Sequence, residues 1–147
     1  MEQTQTFINQ LPNNTKRIDI SNKGLLICPD LSRFNSLEYL NCSGNHLVSL
    51  PPLNKSLEYL DCYSNDLTSL PLLNDSLKTL NCYLNQLKTL PTLNDDLQEL
   101  DCSSNKLVSL PPLNENLKQL YCYLNQLETL PVLNSGLQEL DCSSNKL

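Results

Sequence analysis

Apolar residues recur along this chain at a fixed interval. In the stretch 56–75 they fall at Leu57, Leu60, Cys62, Leu67, Leu70 and Leu73, with Asn65 and Pro71 at set places among them. Each returns twenty residues later, as Leu77, Leu80, Cys82, Leu87, Leu90 and Leu93 with Asn85 and Pro91, and the set starts again at Leu97, Leu117 and Leu137. A period of this length marks a solenoid, in which each repeat is one coil stacked on the next. One coil alone buries too little apolar surface to offset the entropy of ordering its backbone. Stacked, each leucine packs on its equivalents above and below.

The pattern inside a coil predicts its elements. Residues 59–63, Tyr-Leu-Asp-Cys-Tyr, alternate outward and inward, as a half-buried strand does. Successive strands are parallel, because every coil returns to its starting edge. The return path, such as Leu50-Pro51-Pro52-Leu53-Asn54, carries proline, which fixes an extended backbone and donates no hydrogen bond. A return this short leaves no room for a packed helix, so the convex side is expected to be extended or 3₁₀. An asparagine (Asn45, Asn65, Asn85, Asn105, Asn125, Asn145) follows each strand by three positions. Its amide offers donors and an acceptor, which suits it to satisfy the backbone of the turn and of the neighbouring coil.

The pattern loosens toward the start. Residues 1–14 are expected to form a partial N-terminal cap, with Ile8 and Leu11 in register with Leu50 and Leu53, and Phe7 over the end of the stack. Residues 15–147 form one repeat domain of about seven coils. Its first coil is degenerate, with Lys23 in place of the asparagine and two extra residues before Leu37. The last coil stops halfway, at Leu147. This fits either a truncated chain or an uncapped edge that associates end to end. Residues 77–107 match residues 117–147 at 25 of 31 positions, as duplication of a two-coil unit would leave them. The differences include Asn81 against Tyr121 and Lys88 against Glu128.

Composition narrows the partners. Sixteen acidic against ten basic residues give a net charge of −6, which opposes phosphate backbones and anionic lipid. No apolar run approaches the ~20 residues of a membrane span, and the first fourteen residues lack the basic start and apolar stretch of a secretory signal. Six of the seven cysteines, Cys42 to Cys142, stand twenty apart and point inward beside the leucines. They read as reduced thiols serving as small hydrophobes, which fits a reducing, cytoplasmic compartment. No CxxC or Cys/His cluster offers a metal site, and no cofactor is expected.

The string LxxLxCxxNxLxxLPxL resembles the leucine-rich repeat, in the short LPx form met in bacterial effectors and in repeat proteins of giant DNA viruses. The match runs over residues 15–147. It implies a leucine-rich repeat solenoid of the α/β horseshoe class, with a parallel β-sheet on the concave face, little or no α-helix, and protein binding on that face. It also implies a host-cell cytoplasm if the chain is viral or an effector. Cysteine stands where the family usually has leucine, isoleucine or valine, which favours an intracellular member. The ubiquitin-ligase domain that follows such repeats in some effectors has no counterpart in these residues, so that activity is not carried over.

Three outward columns on the strands hold the candidate ligand-binding residues. They contain all six tyrosines, Tyr39, Tyr59, Tyr63, Tyr83, Tyr121 and Tyr123, with the carboxylates Asp61, Asp101 and Asp141. Leu84 and Leu124, each after a tyrosine, add outward apolar area. Tyrosine is enriched at binding hot spots, but it also favours strands, and these are the only strands available. The expected function is a non-enzymatic scaffold for a protein or peptide with basic and apolar groups. The alternatives are a carbohydrate-binding module and the recognition fragment of a larger ubiquitin-ligase-type effector. His46 has no serine or cysteine at triad spacing. A pair of carboxylates serves glycoside hydrolysis, but an open sheet gives them no deep pocket. Asn13-Asn14-Thr15 and Asn54-Lys55-Ser56 fit the glycosylation pattern, which matters only for a secreted chain.

Overall fold

The computed structural model describes residues 2–147. One helix, α1 (Glu2–Gln10), is followed by seven strands: β1 (Arg17–Asp19), β2 (Tyr39–Asn41), β3 (Tyr59–Asp61), β4 (Thr79–Asn81), β5 (Glu99–Asp101), β6 (Gln119–Tyr121) and β7 (Glu139–Asp141). They form a single parallel sheet in sequence order. The register sets like over like, so that Leu60 pairs with Leu40 and Leu80, and Tyr39 with Tyr59. Of the two return paths the sequence leaves open, the extended one is taken: the only helix among the described residues is α1.

The strands are three residues long rather than five. Pairing with the next coil nevertheless continues past them, with Cys62 N–H donating to the Asn81 carbonyl and Ser64 N–H to the Tyr83 carbonyl. The regular strand stops because the chain turns at Ser64, whose φ is 52°. The core lies between the sheet and the return legs. Leu57, Leu60, Cys62 and Leu67 and their equivalents through Leu127 are almost wholly buried. Most leucines of the return legs, such as Leu50, Leu53, Leu70 and Leu73, pack on that core while half-buried.

The asparagine after each strand does what its chemistry allows. Asn105 Oδ1 accepts from Leu87 N–H of the preceding coil at 2.9 Å. Its Nδ2 donates to the carbonyls of Cys82, one coil back, and of Cys102, in its own coil. Asn65, Asn85, Asn125 and Asn145 repeat the arrangement. Lys23 departs from the column because α1, and not a further coil, precedes its own; Asn45 of the next coil accepts from the Lys23 and Leu25 N–H groups.

A second ladder runs down the return side. Asn54, Asn74, Asn94, Asn114 and Asn134 each donate through Nδ2 to a carbonyl of the coil before, as Asn94 does to Asp75 at 3.1 Å. The first coil has Phe34 at this slot: Leu37 N–H donates to the Phe34 carbonyl as Leu57 N–H does to that of Asn54. Phe34 is fully buried. Arg33, its neighbour in the two-residue insertion, lies over that ring at 4.3 Å. Its guanidinium also donates to the carbonyls of Ile8 and Leu11. Arg33 thus ties the segment after α1 to the first coil. Ile8 is buried and Phe7 is half exposed, since consecutive helical residues point about 100° apart.

Candidate concave binding face

The sheet presents three lanes of side chains. The first runs Arg17, Tyr39, Tyr59, Thr79, Glu99, Gln119, Glu139, and the second Asp19, Asn41, Asp61, Asn81, Asp101, Tyr121, Asp141. The third, just past the strands, holds Ser43, Tyr63, Tyr83, Ser103, Tyr123 and Ser143. Inward residues between the lanes, Leu60 and Cys62 for example, are buried, so lane position alone decides what a partner meets.

The tyrosines gather into groups. Tyr39 and Tyr59 stack with ring centroids 4.6 Å apart and planes at 10°, and the Arg17 guanidinium sits 3.8 Å from the Tyr39 ring centre. A cation over two stacked rings results, which the ring quadrupole favours. In the third lane Tyr63 and Tyr83 stack at 5.5 Å. Tyr83 also meets Tyr123 at 6.1 Å, across the coil of Ser103, a small and fully buried residue. Tyr121 stands apart and donates its hydroxyl to Glu139. Leu84 and Leu124 flank the third-lane tyrosines with about half their surface in solvent.

These leucines occupy an unusual backbone. The slot before each asparagine is left-handed in every coil, with φ of 63° at Gly44, 52° at Ser64, 56° at Leu84, 50° at Ser104, 53° at Leu124 and 55° at Ser144. Leucine there crowds its Cβ against the following carbonyl, at a cost of roughly 1–2 kcal/mol. Gly44 meets that requirement without strain.

The second-lane carboxylates have a structural share. Asp61, Asp101 and Asp141 each accept the N–H two residues ahead, from Tyr63, Ser103 and Ser143. Asn41 and Asn81 do the same for Ser43 and Tyr83, which explains why Asp and Asn exchange freely in this lane. A strand separates each carboxylate of the lane from the next, roughly 10 Å on the inter-strand spacing, so no two sit together as a general acid–base pair. Burial pushes the Asp61 carboxyl up, and the charges of Asp19 and Asp101 add to the shift against the pull of the Tyr63 N–H. Tyr59 is raised by burial and then by Asp61, and Tyr121 by its bond to Glu139. Both phenols are therefore neutral near pH 7.

Between these groups lies a shallow hollow of about 190 Å³, lined by Tyr59, Thr79, Leu80, Asn81, Glu99, Leu100, Asp101, Gln119 and Tyr121. Sequence columns do not show it, since it depends on side-chain sizes across four strands. Arg17 was not among the sequence candidates either, although its register opposite Tyr39 places it in their lane. All seven cysteines are free thiols. Burial holds the thiols of Cys42, Cys62, Cys82 and Cys102 well above their ordinary range and pushes those of Cys28 and Cys122 up to about 12.

Other sequence candidates are structural or apart from the lanes. The Asn54 amide of the glycosylation pattern donates to the Leu31 and Phe34 carbonyls, and Asn13 accepts from Arg33. His46 Nδ1 lies 3.5 Å from Asp66, both exposed. No three metal-ligating side chains cluster among the described residues, and none of the described helices is long and apolar enough to cross a membrane.

Comparison with known proteins agrees with this architecture. Family models described as leucine-rich repeats match residues 35–72, in two copies, and residues 96–115. No curated protein matches the chain. Among solved structures, YopM from Yersinia enterocolitica WA-314 superposes with a TM-score of 0.86 at 37% identity, over 90% of this chain and 30% of that one. YopM from Yersinia pestis, a leucine-rich effector protein, gives 0.85 at 34% identity, over 92% and 39%. A Shigella effector leucine-rich repeat domain gives 0.79 at 34% identity, over 88% and 57%. The chain thus spans well under half of either Yersinia protein and just over half of the Shigella domain. Its parallel ladder, its LPx return legs and these matches together make it a leucine-rich repeat protein of the short, twenty-residue kind found in bacterial effectors.

Proposed function

We propose that the chain is a non-enzymatic scaffold that binds a protein partner through its concave face, in a cytoplasmic setting. The observation that carries this reading is the third-lane patch. Tyr63, Tyr83 and Tyr123 are in ring contact, and beside them Leu84 and Leu124 are held in a strained backbone with half their surface in water. Strain of this kind is associated with binding sites, and the fold buries only about half of each of those leucines. The carboxylates of the face and the net charge of −6 favour a partner carrying basic as well as apolar groups. Likeness to effector leucine-rich repeat domains supports a protein as the partner, and seven free thiols fit a reducing compartment.

The test is capture of partners from host-cell extract by the native chain and by Tyr63→Ala/Tyr83→Ala. The double variant is expected to lose the partner with its far-UV circular dichroism unchanged. Leu72→Ala, at a residue 82% exposed outside the three lanes, is expected to keep it. Equal capture by all three proteins overturns the assignment of the face.

A further inference from the structure

The hollow in the concave face is too small for a drug-sized ligand, which needs about 300 Å³ or more. Its 190 Å³ is the scale of a single side chain. Tyr59 and Tyr121 are the aromatic groups in its lining; Leu80 and Leu100 also border it but are about 1% exposed, so its apolar surface comes from the two rings. Glu99 and Asp101, both on β5, give it two negative charges.

No base offsets those charges within the lanes. Strands β2 to β7 carry no Lys or Arg among their residues, and Arg17 on β1 is committed to the Tyr39 ring. The nearest lysines lie one residue before the strands and have other partners: Lys78 bonds Glu58 at 2.9 Å and Lys118 bonds Gln98 at 3.2 Å. Asp101 uses one oxygen on the Ser103 N–H, and Glu99 accepts a long bond of 3.4 Å from Thr79. The face therefore holds negative charge beside aromatic rings, the combination that attracts a cation.

The two strained leucines fix where the rest of a ligand lies. Leu84 and Leu124 follow β4 and β6, the outer strands of the three that carry most of the hollow. They are two coils apart, roughly 10 Å on the inter-strand spacing. In an extended peptide, at about 3.3 Å per residue, that distance is three residues.

We infer that the hollow is a subsite for one arginine or lysine side chain of the partner, flanked by apolar side chains three residues apart that rest on Leu84 and Leu124. This rests on reading the concave face as the docking surface and adds the chemistry that the surface selects. The guanidinium or ammonium group lies between the Glu99 and Asp101 carboxylates, with its aliphatic stem against Tyr59 or Tyr121. Binding is non-covalent, and the site discriminates by charge at constant shape.

The experiment is a titration of the full ¹⁵N-labelled chain, followed by amide chemical shifts, with N-acetyl-arginine methylamide and separately with N-acetyl-citrulline methylamide, its neutral isostere. The arginine compound is expected to shift amides of β4 to β6 saturably, and the citrulline compound to bind at least tenfold more weakly. Glu99→Gln/Asp101→Asn is expected to remove most of that difference. Asparagine already serves the turn at Asn41 and Asn81, so the fold tolerates it, and Asp66→Asn is the control. Equal shifts from the two compounds, or shifts spread over acidic residues outside the hollow, overturn the subsite. These outcomes need only the native chain, so a misfolded variant does not obscure them. If a captured partner is lost with Tyr63→Ala/Tyr83→Ala but binds Glu99→Gln/Asp101→Asn unchanged, the docking face stands and the cation subsite falls.

Discussion

The asparagine corner and the concave lanes lie a few residues apart in every coil, yet they follow opposite rules. At the corner the residue is asparagine from Asn45 to Asn145, because each amide joins the backbones of two coils and no other side chain of that length supplies that set of donors and acceptor. In the lanes, Tyr59 pairs with Thr79 and Thr79 with Glu99, and the fold accepts all three, since their outer ends point away from the stack. The contrast teaches that repetition records what stacking requires. Variation across a lane marks the positions free to serve a partner.

The sharpest test of this contrast is at the corner. Asn105→Ala leaves the buried Leu87 N–H without its acceptor, while the Cys82 carbonyl keeps the Asn85 amide. One orphaned buried group costs roughly 1–3 kcal/mol, so a loss of about 2 kcal/mol in urea denaturation is expected; no measurable loss would show that water replaces the amide and that the corner is not the staple.

At the lane edge the effects nearly cancel. Leu84→Gly relieves a left-handed leucine, worth roughly 1–2 kcal/mol, but glycine loosens the unfolded chain by about 0.4–1 kcal/mol, and the half-buried side chain gives up about 1 kcal/mol of burial. A stability change within about 1 kcal/mol, with weaker partner binding, is expected, measured by thermal melting and by capture in parallel. A loss as large as that of Asn105→Ala would place this slot with the corner rather than the lane.

The smallest effect is at Asp61. Burial raises its folded-state pKa, so between the unfolded and folded values the native chain binds more protons, and stability falls as pH rises through that window. Asp61→Asn keeps the acceptor for the Tyr63 N–H, as Asn81 does for Tyr83. It is expected to raise the melting temperature at pH 7, with the gain disappearing as pH falls through the carboxylate range. No pH dependence of the difference would mean the carboxylate is solvated.

How much of this was legible follows from the same contrast. Period, lane membership and the Asn45–Asn145 column could be read because each coil restates them. The second ladder, Asn54 to Asn134, recurs just as regularly, but asparagine beside proline in a return path reads as an ordinary turn residue. Arg33 occurs once, in an insertion, and Phe34 once, at the slot that later coils fill with asparagine, so no repeat reveals that they pin the segment after α1 and fill the first coil. Leu84 and Leu124 were visible as outward leucines, but not as strained ones, because that depends on a backbone angle leucine itself disfavours. The hollow needed the lengths of side chains from four strands at once.

The like-over-like register has a further consequence. Apart from the contact between Tyr83 and Tyr123, the bonds and ring contacts along the sheet and both ladders join a coil to its immediate neighbours. A forty-residue block such as 77–116 can then be excised or doubled and the junction still finds its mates. A lineage carrying this chain can lengthen or shorten its reading surface in whole steps without redesigning the interior.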